Sequence, residues 1–81
     1  MVTAFVLINL QDKNIKKIAV NLLKLPGVIE VHAVAGEYDM VAEIKVSDNR
    51  ALSELITEHI VHAPGVLHTK TLFSLQSFDR A

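Results

Sequence analysis

Leu25-Pro26-Gly27-Val28 and Ala63-Pro64-Gly65-Val66 are two copies of one joint, 38 residues apart in a chain of 81. In each, an apolar residue closes a helical pattern and proline resists continuing it. Glycine accepts the backbone conformation of a helix end, and valine opens a β-branched run. A repeated helix-to-strand joint implies two βα units, and the residues on either side define them.

Ahead of the first joint, Ile15, Ile18, Ala19, Leu22 and Leu25 recur at helical spacing, with Lys13, Lys17 and Lys24 opposite. Val20 alone falls on the polar side. Asp12 or Asn14 stands where a cap is needed. Residues 3–10, Thr-Ala-Phe-Val-Leu-Ile-Asn-Leu, are apolar at nearly every position, as suits a central strand. Beyond the joint, residues 28–35 and 38–46 read as strands separated only by Gly36 and Glu37, which predicts an antiparallel hairpin. Ser47 or Asp48 then caps a second helix with an inward stripe of Leu52, Leu55, Ile56, His59, Ile60 and Ala63. The second joint ends it, and residues 66–77 form the last strand. The order βαββαβ, with right-handed crossovers, gives a four-stranded antiparallel sheet with both helices on one face. This is the α+β ferredoxin-like sandwich, read as a single domain over residues 1–81.

Such a fold leaves one sheet face bare. The first strand offers Thr3, Phe5 and Leu7 on one side and Ala4, Val6 and Ile8 on the other, so one set must point away from the helices. Exposing it forfeits roughly 25 cal/mol per Å² of apolar area. The chain is 51% hydrophobic with a mean hydropathy of +0.35, so dimerisation through the sheet is expected. With no cysteine, disulfides and thiolate metal sites are excluded. A net charge of −1 and a pI of about 6.4 give no footprint for direct nucleic-acid binding. Residues 2–10 are far too short to cross a bilayer, which takes about 20 residues, and lack a signal-peptide pattern. No membrane association is expected, and the location expected is cytoplasmic.

The histidines do not form a metal site. His32 and His68 fall on strands at opposite edges of the expected sheet, and only His59 and His62 are close. His59, on the apolar stripe, reads as a packed, hydrogen-bonded side chain. The lysines of the first helix read as a solvated face. No phosphate loop or nucleophile elbow is present, and no cofactor is expected. Gly36-Glu37-Tyr38-Asp39 is the one convergence of capable groups. Read blandly it is a turn, with glycine for its φ and Asp39 accepting local N–H bonds. Read functionally, N–H groups beside Gly36 meet a carboxylate, and an acid side chain meets an ammonium. Both groups are what a free α-amino acid presents. Thr69 and Thr71 alternate to one face of the last strand, adding a second polar pair.

These pieces in this order resemble the effector-binding (RAM) domain of the Lrp/AsnC family of transcriptional regulators. The matching residues are Leu25-Pro26-Gly27-Val28, Ala35-Gly36-Glu37-Tyr38-Asp39, and Pro64-Gly65-Val66 leading to Thr69-x-Thr71. The resemblance spans essentially the whole chain. It implies a module that dimerises through its sheet, builds octamers of four dimers, and binds amino-acid effectors between dimers. The site residues it implies are Ala35, Gly36, Glu37, Tyr38, Asp39, Thr69 and Thr71. Ala35 stands where threonine is common, removing one hydroxyl, and His68 where arginine is frequent. Family regulators carry an N-terminal helix-turn-helix, and this chain begins at the first strand, so a stand-alone module is expected. It would join or tune full-length Lrp/AsnC regulators, or a metabolic enzyme. Two rival readings remain: a small dimeric-barrel enzyme using Tyr38, Asp39 or His59 as acid or base, and a purely structural partner.

Overall fold

The computed structural model of the chain describes residues 1–80. Strand β1 (Val2–Leu10), helix α1 (Ile15–Leu23), strands β2 (Val28–Ala33) and β3 (Met40–Val46), helix α2 (Asn49–Glu54) and strand β4 (Val66–Phe73) follow in the expected order. Helix α2 continues into a π-helical segment, Leu55–Ile60. The sheet order is β2-β3-β1-β4 and every neighbouring pair is antiparallel. Strand β3 lies between β1 and β2, as two crossover units of the ferredoxin-like fold require.

Local chemistry sets the boundaries. Of the two candidate caps for α1, Asn14 takes the role, its side-chain oxygen accepting from the Lys17 amide at 3.3 Å. Asp48 rather than Ser47 caps α2, accepting from the Ala51 amide at 2.8 Å. Each cap supplies an acceptor to an N–H that the helix itself leaves unpaired. Alternation along β1 sends Ala4, Val6 and Ile8 into the core, where none is exposed. There they meet Met40, Ala42 and Ile44 of β3, Ile18 and Leu22 of α1, and Leu52, Leu55 and Ile60. Burying each large aliphatic side chain contributes about 1.5–3 kcal/mol. Val20 lies off this face, 45% exposed.

The opposite sheet face carries Thr3, Phe5, Leu7 and Asn9 of β1. Register aligns Phe5 with Glu43 and Leu72, and Leu7 with Val41 and Lys70. Phe5, Leu7, Val41 and Leu72 thus form an apolar centre that no helix covers. Charged and titratable groups surround it, among them Glu30 and His32 on β2, with His32 Nε2 2.6 Å from Glu30 Oε1.

Three expectations are corrected. The hairpin is wider than a two-residue turn, because its last ladder pair is Ala33 with Met40, leaving residues 34–39 as a loop. Strand β4 ends at Phe73, not residue 77. Phe73 lies opposite Ala4, so β1 is nearly exhausted there, and the Ser74 amide makes a further bond to Thr3 O at 2.9 Å. Finally, His59 is exposed rather than packed. The Val61 amide bonds Ile56 O, five residues back, at 3.0 Å. This wider winding carries Ile60 to 0% exposure and turns His59 outward. Burying isoleucine is favourable and burying an unpartnered imidazole is costly, so a winding that keeps Ile60 inside and leaves His59 outside is the favourable one.

Candidate functional site

The hairpin loop is held by side chains and irregular backbone bonds in place of a strand ladder. Gly36 has φ 129°, a conformation L side chains rarely adopt. A Cβ built there would meet nothing within 4 Å, so the backbone conformation, and not crowding, requires glycine. Asp39 anchors the loop to the end of β1: its amide donates to Ile8 O at 2.9 Å, and Val34 N–H donates to Asp39 O at 3.0 Å. Its carboxylate Oδ2 accepts from the Leu10 amide at 2.8 Å in a partly buried setting. There the side chain replaces the strand carbonyl that the ladder would otherwise supply. Asn9 adds a second clamp, its Nδ2 donating to Glu37 O at 2.8 Å.

Tyr38 and Asp39 are half-buried, whereas Ala35, Gly36 and Glu37 are exposed. A small cavity of about 90 Å³ lies between Asp39, Leu10, Asp12, Lys13 and Ile15, so the loop, the end of β1 and the approach to α1 meet at one corner of the molecule. Among the described residues no group of three or more His, Cys, Asp or Glu side chains could hold a metal ion.

Thr69 and Thr71 do share a face, the helix side of β4, where both are half-buried. Thr69 pairs with Ile8, which pairs in turn with Met40. Thr69 therefore lies on the same transverse row as the hairpin base, two strand spacings or about 10 Å away. Thr71 is displaced along β4 and lines a different hollow, about 490 Å³, with Leu52, Ile56 and Phe73. One chain thus brings the hairpin onto β1 and leaves Thr71 in a separate groove. His59 is farther still: it lines a groove with Gly27 and Lys45, at the other end of the β2–β3 pair. Within one chain it does not converge with Tyr38 and Asp39.

Asn9 and Leu10 are the participants that sequence reasoning passed over. Asn9 carried a signal, being the one amide side chain inside the apolar run of β1. Leu10 carried none, because it contributes its backbone N–H.

The chain is thus a ferredoxin-like α+β domain whose glycine–acid hairpin is clamped to β1. The family model of the Lrp/AsnC ligand binding domain matches residues 3–81, and the chain belongs to that family. An uncharacterised HTH-type transcriptional regulator of Pyrococcus furiosus, PF0250, is 36% identical over 75 residues, which are 89% of this chain and 50% of that protein. The HTH-type transcriptional regulator FL11 of Pyrococcus horikoshii is 32% identical, over 91% of this chain and 48% of its own length. The chain therefore spans about half the length of the curated relatives it matches. Among solved structures, TTHA0845 from Thermus thermophilus superposes with a TM-score of 0.88 at 35% identity, covering 99% of this chain and 100% of that one. A feast or famine regulatory protein from M. tuberculosis, solved in complex with L-methionine, superposes at 0.82 with 27% identity over 99% of this chain and 54% of its own.

Proposed function

We propose that this chain is a non-enzymatic regulatory module, one domain over residues 1–81, that binds a free amino acid between subunits. The observation that carries this reading is the anchored carboxylate of Asp39. Leu10 N–H occupies Oδ2, which fixes the group and leaves Oδ1 to accept an ammonium. Backbone N–H groups of the exposed loop around Gly36 are available to a carboxylate, as in other anion-binding turns. Thr69 faces the same row and Thr71 the neighbouring groove. The chain's own cavity at Asp39 is about 90 Å³, too small for most side chains, so a second subunit completes the pocket. The M. tuberculosis relative's complex with L-methionine supports the same ligand class.

Assembly follows from the bare sheet face. Phe5, Leu7, Val41 and Leu72 pack against a second copy, and dimers join further, up to an octamer of four dimers. The same surfaces would let the module join full-length Lrp/AsnC regulators and tune them, without contacting nucleic acid itself. Ligand shifts assembly only to the extent that it binds one assembly state more tightly. Among the described residues no helix is long and apolar enough to cross a membrane.

Titration calorimetry against the twenty amino acids, with light scattering before and after, tests the proposal. It expects heat from at least one of them and a change in mass on binding. Silence from all twenty with an unchanged mass would contradict it and favour a purely structural partner.

A further inference from the structure

We propose that sheet-joined dimers meet one another through their helix layers, α1 of one copy lying against α2 and the π-helical segment of a copy in the next dimer. This rests on the sheet dimer proposed above and assigns the surface by which such dimers join.

Charge is divided unequally between the two helices. Lys13, Lys16, Lys17 and Lys24 are half of the chain's 8 basic residues, and no acid occurs between Asp12 and Glu30. All four lysines are exposed, and among the described residues none of them joins an ion pair. Residues 48–62 carry Asp48, Glu54 and Glu58 against Arg50 alone. Arg50 Nε stands 3.5 Å from Glu54 Oε1, which offsets one acid and leaves an excess of negative charge. Lysines by themselves would read as a solvated face, and Val20 changes that reading. It projects away from the buried Ile18 and Leu22, and Leu23 follows three positions on. The two are 45% and 47% exposed. Lys16, Lys17 and Lys24 stand three or four positions from Val20 and so surround it. An apolar centre within a charged rim is the anatomy of a protein contact. Val61, 44% exposed, gives the acidic helix an apolar residue of its own.

The occupant follows from symmetry. Helix α1 runs back along β1 and α2 runs back along β3, which is antiparallel to β1, so the two helices point in opposite directions. A twofold axis parallel to them lays α1 of one copy on α2 of the other, antiparallel, and repeats the contact in reverse. Basic then meets acidic at both places. A twofold axis across the helices would lay α1 on α1, lysine against lysine. The sheet face and the helix layer are opposite sides of the domain, so a sheet dimer carries a helix layer on each outer side and meets two neighbours. One such contact is weak, because exposed ion pairs each contribute little. A closed ring of dimers makes two per dimer and holds where one would not. Chains separated at the sheet therefore do not pair through their helices.

The test is sedimentation velocity on the full chain and two charge-reversed variants, with circular dichroism to confirm folding. One variant combines Lys16→Glu with Lys17→Glu, and the other Glu54→Lys with Glu58→Lys. The parent chain is expected to form particles larger than dimers at low salt and to fall to dimers in about 1 M salt, where exposed charges are screened. Each variant alone, with two helices of like charge, is expected to stop at dimers. An equal mixture of the two is expected to regain the parent's mass, because acidic and basic layers again alternate. That recovery also shows that neither variant merely misfolds. A variant that keeps the parent's mass at low salt would overturn the proposal, and so would a mixture that stays dimeric. A parent that stops at dimers would remove this contact alone, whereas a monomeric parent would remove the sheet dimer and this contact with it.

Discussion

Asp39 Oδ2 serves the fold by accepting from the Leu10 amide, and the proposed ligand role falls to its other oxygen, so substitutions separate the two. Asp39→Ala removes the acceptor for the Leu10 amide and leaves a partly buried donor unpaired. A loss of about 1–2 kcal/mol is expected in urea unfolding. Asp39→Asn keeps an acceptor oxygen and gives up the charge, so stability holds within about 0.5 kcal/mol, while amino-acid affinity falls by at least about tenfold in calorimetry. Equal affinity for Asp39→Asn and the parent chain would remove Asp39 from the ammonium's partners. Gly36→Ala meets no neighbouring atom, so its cost is conformational alone, about 1–3 kcal/mol, again read in urea. A larger loss would reveal crowding that the loop does not contain. Asp39, Gly36 and Thr69 were legible in the sequence as residue types in a recognised order. That Leu10 is the partner of Asp39 was not, because a backbone N–H leaves no mark on the identity of its residue.

Elements were legible to the degree that their signals were local. The Pro-Gly joints and the caps act within a few residues, and both helices begin at one of the two caps offered for each. Strand β4 ended early because pairing with β1, a long-range fact, decides how far a strand can run. The second helix misled for a different reason. Periodicity assumes 3.6 residues per turn, and Leu55–Ile60 winds more loosely, so that Ile60 stays in the core as expected and His59 does not. The π-turn amounts to one residue inserted into an α-helix, and removing a residue should undo it. Deletion of the exposed Glu58 keeps Leu55 and Ile60 on one face at a spacing of four. Stability within about 1 kcal/mol of the parent, with a regular i→i−4 amide pattern in NMR, is expected. A loss beyond about 3 kcal/mol would show that the wider turn itself holds the packing together.

At the scale of the molecule, β1 organises both the core and the proposed contact between subunits. One face of it fills the core with Ala4, Val6 and Ile8, and the other leaves Phe5 and Leu7 on the uncovered sheet face, the proposed contact with a second copy. Leu7→Lys would place an unpaired charge at the centre of that contact, where the cost is several kcal/mol. Sedimentation velocity should then report monomers for Leu7→Lys and dimers or larger for the parent chain, while circular dichroism keeps its α+β shape. Persistent dimers in Leu7→Lys would move the interface elsewhere. The central claim, that two subunits share one amino-acid pocket, is tested most directly by complementation. Asp39→Asn removes the hairpin half, and a double variant, Thr69→Val with Thr71→Val, removes the strand half. Calorimetry with the amino acid that gives the largest heat on the parent chain should find no binding to either variant alone. After co-refolding in equal amounts, about a quarter of the sites should return, those pairing an intact hairpin with intact threonines from a neighbour. A co-refolded mixture that binds nothing would place the whole pocket within one chain and contradict the account.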